Sequence, residues 1–221
     1  METKEVTNGA VSTSTRRAWI LMLLYALERN LATPIEKSEL HYIAYFANAL
    51  SAVFGLEPND GKILKATRGP LYTNLQWELD RLVFMNLASI TEIKFGPEKG
   101  EFNARYELTE SGLRVAQDIA LSSKPSTLLA DYLLELVSSF DRVDTSVPRT
   151  LDFDANYSDH SVAAGEVIDF AEWSLENFSL DAARYIVESF SPLVGNRPAN
   201  ELDLYARYLG QMVTRGESTS E

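Results

Sequence analysis

Asp159, His160 and Ser161 stand side by side and supply the residue types of a nucleophilic triad. Neighbours in sequence do not reach triad geometry, which is assembled from distant segments. The same residues suit the start of a helix, with Asp159 and Ser161 as capping groups. Asp152, Asp154 and Asp159, followed by Glu166, Asp169, Glu172 and Glu176, form an oxygen-rich stretch. Hard cations such as magnesium take such ligands. The spacing fits no calcium loop and lacks the glycine such a loop needs, so a solvated acidic face is expected. There is no cysteine, and His41 and His160 are the only histidines. Thiolate sites, disulfides and histidine-rich zinc sites are thereby excluded. No phosphate-cradling glycine loop, no His-Glu-x-x-His helix and no glycine-flanked serine occurs. The expectation is a chain that is no enzyme and takes neither metal nor cofactor.

The cations and polar residues near the middle of the chain suggest a contact surface instead. Lys62, Lys65 and Arg68 approach a helix whose first turns carry Tyr72, Thr73, Asn74 and Gln76, expected to be exposed. Lys94 and Lys99 follow on an extended hairpin. Asn and Gln suit adenine edges and lysines suit phosphates, which favours DNA. Against DNA stand Glu78 and Asp80 on the same helix, and Trp77, a residue type typical of protein–protein anchors. The surface of Lys62, Lys65, Arg68, Tyr72, Asn74, Gln76, Trp77, Lys94 and Lys99 is thus a candidate for nucleic acid or for a protein partner.

The elements that would position these residues follow from periodicity. Arg16 to Asn30 is apolar almost all round, as a buried helix must be. Leu40, Ile43, Ala47, Leu50 and Phe54 mark one stripe of a second helix over 36–54. The flanking Tyr42, Tyr45, Phe46, Ala49 and Val53 serve either the core or a partner. Residues 62–68 read as extended. A third helix starts near Leu71, buries Leu75, Leu79 and Leu82, and ends at Asn86. Ala88 to Phe95 and Phe102 to Leu108 read as strands around Gly96 to Gly100, though alternation leaves open which face of the first is buried. Thr109 then caps a helix through Leu121. Helix, helix, helix, strand, turn, strand, helix is the order of a winged helix, so a mainly α fold with a winged helix-turn-helix core and a two-stranded wing is expected.

Beyond Lys124-Pro125 an amphipathic helix runs to Phe140, then a polar surface loop over 141–159. Three helical patterns complete the chain, at 161–178, 180–190 and 200–213. The expected organisation is a tail over 1–15, a winged-helix domain over 16–122, an acidic helical region over 123–214 and a tail over 215–221. The net charge of −12 is uneven, with about −2 on residues 1–120 and about −10 on residues 121–221. An acidic half repels phosphate, which confines any nucleic-acid contact to the first half. The N-terminus shows no apolar signal core, and the longest apolar run, 18–27, is too short to span a bilayer. A cytoplasmic protein without membrane contact is expected.

Tyr106-Glu107-Leu108-Thr109-Glu110-Ser111-Gly112 resembles the end of the wing in bacterial winged-helix families, where an aromatic and Leu-Thr precede a glycine. Leu79 to Leu87 is similar to their third helix and the step that follows it. This resemblance covers roughly residues 70–120 and implies a fold, not a function. Residues 39–50, from Glu39 to Leu50, with Asp60 to Lys65 and Gly69-Pro70-Leu71-Tyr72, look like the middle components of bacterial three-component defence systems of the Lamassu kind. That second resemblance, over residues 16–120, implies a non-catalytic adaptor between an SMC- or ABC-type ATPase and an effector in antiphage defence. The competing expectation is a homodimeric winged-helix transcriptional regulator, with steeply salt-dependent DNA affinity that depends on Arg68.

Overall fold

The structure is a computed structural model that describes residues 13–60, 62–66, 69–95, 102–143, 147–158, 162–169, 177–194 and 197–218. It is mainly helical with two small antiparallel sheets. Helix α1 (Thr13–Arg29) is buried almost continuously from Trp19 to Leu27 because α3, α4 and α5 all pack on it. Its all-round apolar sequence is the cause, since no face of such a helix tolerates water.

A short strand β1 (Ile35–Glu36) leads into α2 (Lys37–Ala49). Leu50 leaves helical geometry, and a 3-10 turn (Ser51–Phe54) ends at Gly55, whose φ of 68° is left-handed. The broad aromatic face of α2 is core: Tyr45 and Phe46 are fully buried. Phe46 meets Phe140 at 4.4 Å between ring centres, and Tyr45 meets Tyr157 edge-on at 5.4 Å. The Tyr132 phenol donates to Ala47 O at 2.8 Å, so the helix also anchors the second half of the chain.

The extended segment after α2 is a hairpin, β2 (Lys62–Ala66) and β3 (Gly69–Leu71). It precedes α3 (Thr73–Phe84), which ends in paired bonds from Asn86 N to Val83 O and from Leu87 N to Leu82 O. Asn86 takes the left-handed φ of 56° that this ending requires. Strands β4 (Ala88–Phe95) and β5 (Phe102–Leu108) pair antiparallel, and β1 adds to the far side of β5, giving the order β1-β5-β4. Thr109 caps α4 (Glu110–Leu121) by accepting from Gly112 N at 3.0 Å.

Helix α5 (Lys124–Asp141) starts at the Ser123 cap and packs on α1 and α8. After it come α6 (Val147–Thr150), a 3-10 turn (Leu151–Phe153), β6 (Val167–Asp169), α7 (Phe178–Val194) and α8 (Pro198–Ser218). Two expectations are corrected here. The segment read as a helix over 161–178 holds, within described residues 162–169, a turn and strand β6, which pairs with β2 at Lys62↔Asp169, Ile63↔Ile168 and Leu64↔Val167. The loop over 141–159 is not a polar surface loop, because Thr150, Leu151, Asp154, Asn156 and Tyr157 are buried. Its polar groups enter because partners satisfy them. One hydrophobic core runs from Trp19 through Tyr106 and Phe140 to Leu209.

Candidate interaction surface

Helix α3 divides cleanly. Leu75, Leu79 and Leu82 are buried as their spacing requires, and Glu78 joins them. The Glu78 carboxylate is held by Arg17 Nε of α1 at 2.9 Å and by Arg81 of the next turn. It therefore does not face outward, as the sequence had suggested. On the opposite side Thr73, Trp77, Arg81 and Phe84 follow one another at helical spacing. Trp77 is 63% exposed and Phe84 92% exposed. Such large apolar groups in water on one helix face make it the candidate contact surface.

The hairpin β4–β5 adds to this apolar character. A bulge between Ile90 and Glu92 leaves Thr91 as the extra residue, so the phase of β4 shifts by one. Ile90 opposes Tyr106, Ile93 opposes Ala104 and Phe95 opposes Phe102, which puts all three on the face that buries Tyr106 and Ala104. The ambiguity in alternation is thus resolved: Ile90 shares a face with Ile93 and Phe95, not with Glu92 and Lys94. The strand outruns the core, and Ile93 and Phe95 are 53% and 85% exposed.

The polar candidates are largely committed inside the chain. Tyr72 is buried rather than exposed, a correction. Its N–H donates to His41 Nδ1 at 3.2 Å, and its phenol accepts from Asn48 Nδ2 at 3.2 Å. Burial drives the Tyr72 phenol pKa up. Because His41 Nδ1 is an acceptor, its proton sits on Nε2. Burial first, and the Lys37 charge second, pull the imidazole down to about 4, against a smaller upward pull from the neighbouring Gln76 side chain. Gln76 Nε2 in turn donates to Asp80 Oδ1 at 2.7 Å and to the Tyr106 hydroxyl at 3.3 Å. Asn74 Nδ2 donates to Asp60 Oδ2 at 3.2 Å.

The lysines are engaged as well. Lys62 pairs with Asp169 at 2.8 Å across the β2–β6 ladder. Lys65 Nζ donates to Val162 O at 2.9 Å and lies 5.3 Å from the centre of the Tyr157 ring. Lys94 pairs with Glu92 at 3.2 Å, and Arg105 reaches both Glu36 at 3.1 Å and Glu92 at 3.4 Å. Arg68 and Lys99 lie outside the described residues.

The acidic stretch disperses in space. Asp152 is exposed, while Asp154 is wholly buried and Asp169 nearly so. Glu166 accepts from Ala163 N at 2.8 Å as a local turn brace. Asp159, His160, Ser161, Glu172 and Glu176 lie outside the described residues. Among the described residues no group of three acidic, histidine or cysteine side chains is placed to hold a metal. No helix among them is long and apolar enough to cross a membrane. Phe84, Ile93 and Phe95 were not singled out from sequence; Phe84 lies seven residues after Trp77, which is the signal that finds it. No family model and no curated protein matches the chain.

Proposed function

We propose that the chain is a non-catalytic adaptor with a winged-helix core, and that α3 and the β4–β5 wing dock a protein partner. Support for the winged-helix assignment is the order α1, β1, α2, α3, β4, β5, α4, with β1 edging the wing and the β2–β3 hairpin inserted before the third helix. The observation that carries the functional reading is the outer strip of α3. A helix that reads a DNA groove presents cations and amides to it. Here the strip presents Trp77 and Phe84, Asn74 is bound to Asp60, and Lys62, Lys65, Arg81 and Lys94 each have a partner within the chain. Removing a cation from such a pair to serve a phosphate forfeits the pair, which weakens DNA binding. Aromatic anchors on a near-neutral surface suit a protein interface instead.

The resemblance over residues 16–120 makes an SMC- or ABC-type ATPase and an effector the partners to expect, with antiphage defence the setting. The acidic second half then sets orientation towards a basic surface rather than affinity. A nuclease-treated pull-down from native cells tests this with wild type and the Trp77→Ala/Phe84→Ala double variant. Recovery of an ATPase and an effector by wild type, lost in the variant, is the expected result. Recovery of the chain alone, with specific duplex DNA fragments from untreated lysate, overturns it in favour of a DNA-binding regulator.

A further inference from the structure

Strand β4 is the open edge of its sheet. Among the described residues only β5 bonds to it, and every residue from Ile90 to Phe95 is exposed. A strand bonded on one side leaves alternate N–H and C=O groups directed at solvent, a template for another strand. Such edges are commonly guarded by a lysine or a bulge. Here the bulge at Thr91 only marks one end of the regular ladder. Lys94 is matched by Glu92, two residues before it on the same face, and pairs with it at 3.2 Å.

The sequence Glu92-Ile93-Lys94 is complementary to itself when run antiparallel. A two-fold axis perpendicular to the sheet at Ile93 sets each Glu92 opposite Lys94 of the other copy. Directly opposite residues lie about 4.5–5.5 Å apart between Cβ atoms, close enough for both ion pairs. Moving the axis to Glu92 or to Lys94 would oppose like charges, which destabilises a ladder. The axis at Ile93 suits either alternation of backbone groups. If Ile93 bonds outward, the two Ile93 residues exchange both bonds; if it bonds towards β5, Glu92 and Lys94 exchange them across the joint. The pair within each strand need not break, since an ammonium has three donors and a carboxylate several acceptor sites.

The other face of the strand supplies apolar contact. Ile93 would meet its copy across the axis, with Phe95 of the copy diagonal to it and within reach of an aromatic ring. Joining the edges thus covers residues that one chain leaves in water. Charge also selects this segment over the second half of the chain. Residues 121–221 carry about −10 and repel their like, whereas β4 holds one acid and one base.

We infer that the β4 edge pairs antiparallel with β4 of a second copy, two-fold at Ile93, joining two three-stranded sheets into one. The joint uses none of the Trp77–Phe84 strip that carries the adaptor reading, so either can hold without the other. Sedimentation equilibrium of the purified full chain tests it. The expected result is a reversible monomer–dimer equilibrium. Lys94→Glu and Glu92→Lys should each weaken it about tenfold or more, because the two-fold axis brings in every change twice. An equimolar mixture of those two variants should dimerise again, since an all-acid edge then faces an all-base one. Restoration on mixing cannot come from misfolded chains. A wild type that stays monomeric to about 100 µM overturns the proposal, as does a dimer that either variant leaves intact. Variants that weaken the dimer alone and fail to restore it when mixed overturn the register at Ile93, and the proposal with it.

Discussion

The Tyr205 hydroxyl of α8 donates to Asp154 Oδ2 at 2.7 Å, joining the last helix to a carboxylate with no exposure to water. Ser179 of α7 donates to the same oxygen at 2.7 Å, Tyr45 of α2 donates to Oδ1, and Tyr157 N donates to Oδ1 at 2.9 Å. Three hydroxyls and an amide therefore hold four segments to one side chain. Burial and the neighbouring carboxylate drive the Tyr45 and Tyr205 phenols well above their ordinary range, so both stay donors. Asp154→Ala strands three buried hydroxyls and should cost about 3–5 kcal/mol, while Tyr205→Phe should cost about 1–2 kcal/mol. Thermal unfolding should show a drop on the order of 10 °C for Asp154→Ala. A melting temperature within a degree of wild type would show the hub to be dispensable.

His41 gives the chain an acid-sensitive step. Its folded pKa of about 4 lies below the ordinary 6.5, so the fold favours the neutral ring and the unfolded chain binds the proton more readily. The contribution is complete above pH 6.5 and is lost as pH falls from there towards 4. Between pH 7 and pH 5 the loss should be about 2 kcal/mol. His41→Asn keeps an acceptor for Tyr72 N–H but does not titrate. Urea denaturation at both pH values should show a smaller acid loss in the variant, and parallel curves would refute the assignment.

Gly112 explains the Leu-Thr-x-x-Gly sequence at the head of α4. Thr109 N donates to Leu87 O at 3.1 Å, and its hydroxyl donates to Asn86 O at 2.8 Å, which draws the start of α4 against the end of α3. A Cβ on Gly112 would overlap the Leu87 carbonyl, which is backbone and cannot swing aside. Gly112→Ala should therefore destabilise by about 3 kcal/mol, although alanine is the better helix former. Chemical denaturation checks the sign: a variant as stable as wild type contradicts the close approach.

Such local signals are what the sequence makes legible. The apolar girdle of α1, the Asn86 ending of α3 and the Thr109 cap each rest on a few neighbouring residues, and all three are observed. Two-residue β1 and three-residue β6 are too short to show a period, and each exists only because a distant strand pairs with it. The region around β6 contains enough apolar residues to imitate a helix, which is why residues 162–169 read as part of one. A bulge such as that at Thr91 is invisible to alternation, because alternation presumes an unbroken ladder. Asp154 reads as one acid among many until Tyr45, Ser179 and Tyr205 are brought to it across the chain. For the contact surface, residue types pointed to α3, yet only the fold separates exposed Trp77 from buried Tyr72 and Glu78.

The exposed strip of α3 makes a prediction that distinguishes interface from core. Trp77 and Phe84 contribute little to folding, since both remain largely in water. Trp77→Ser combined with Phe84→Ser should shift stability by about 0.5 kcal/mol or less. The same pair should lose the partner, because truncating a central aromatic anchor commonly costs about 2 kcal/mol or more in binding. Trp77 also reports on its own burial: its indole emission should move to shorter wavelength when partner is added and its accessibility to iodide quenching should fall. A double variant that unfolds at markedly lower denaturant would place these rings in the fold instead. One that melts as wild type and still captures partner fully would move the interface away from α3.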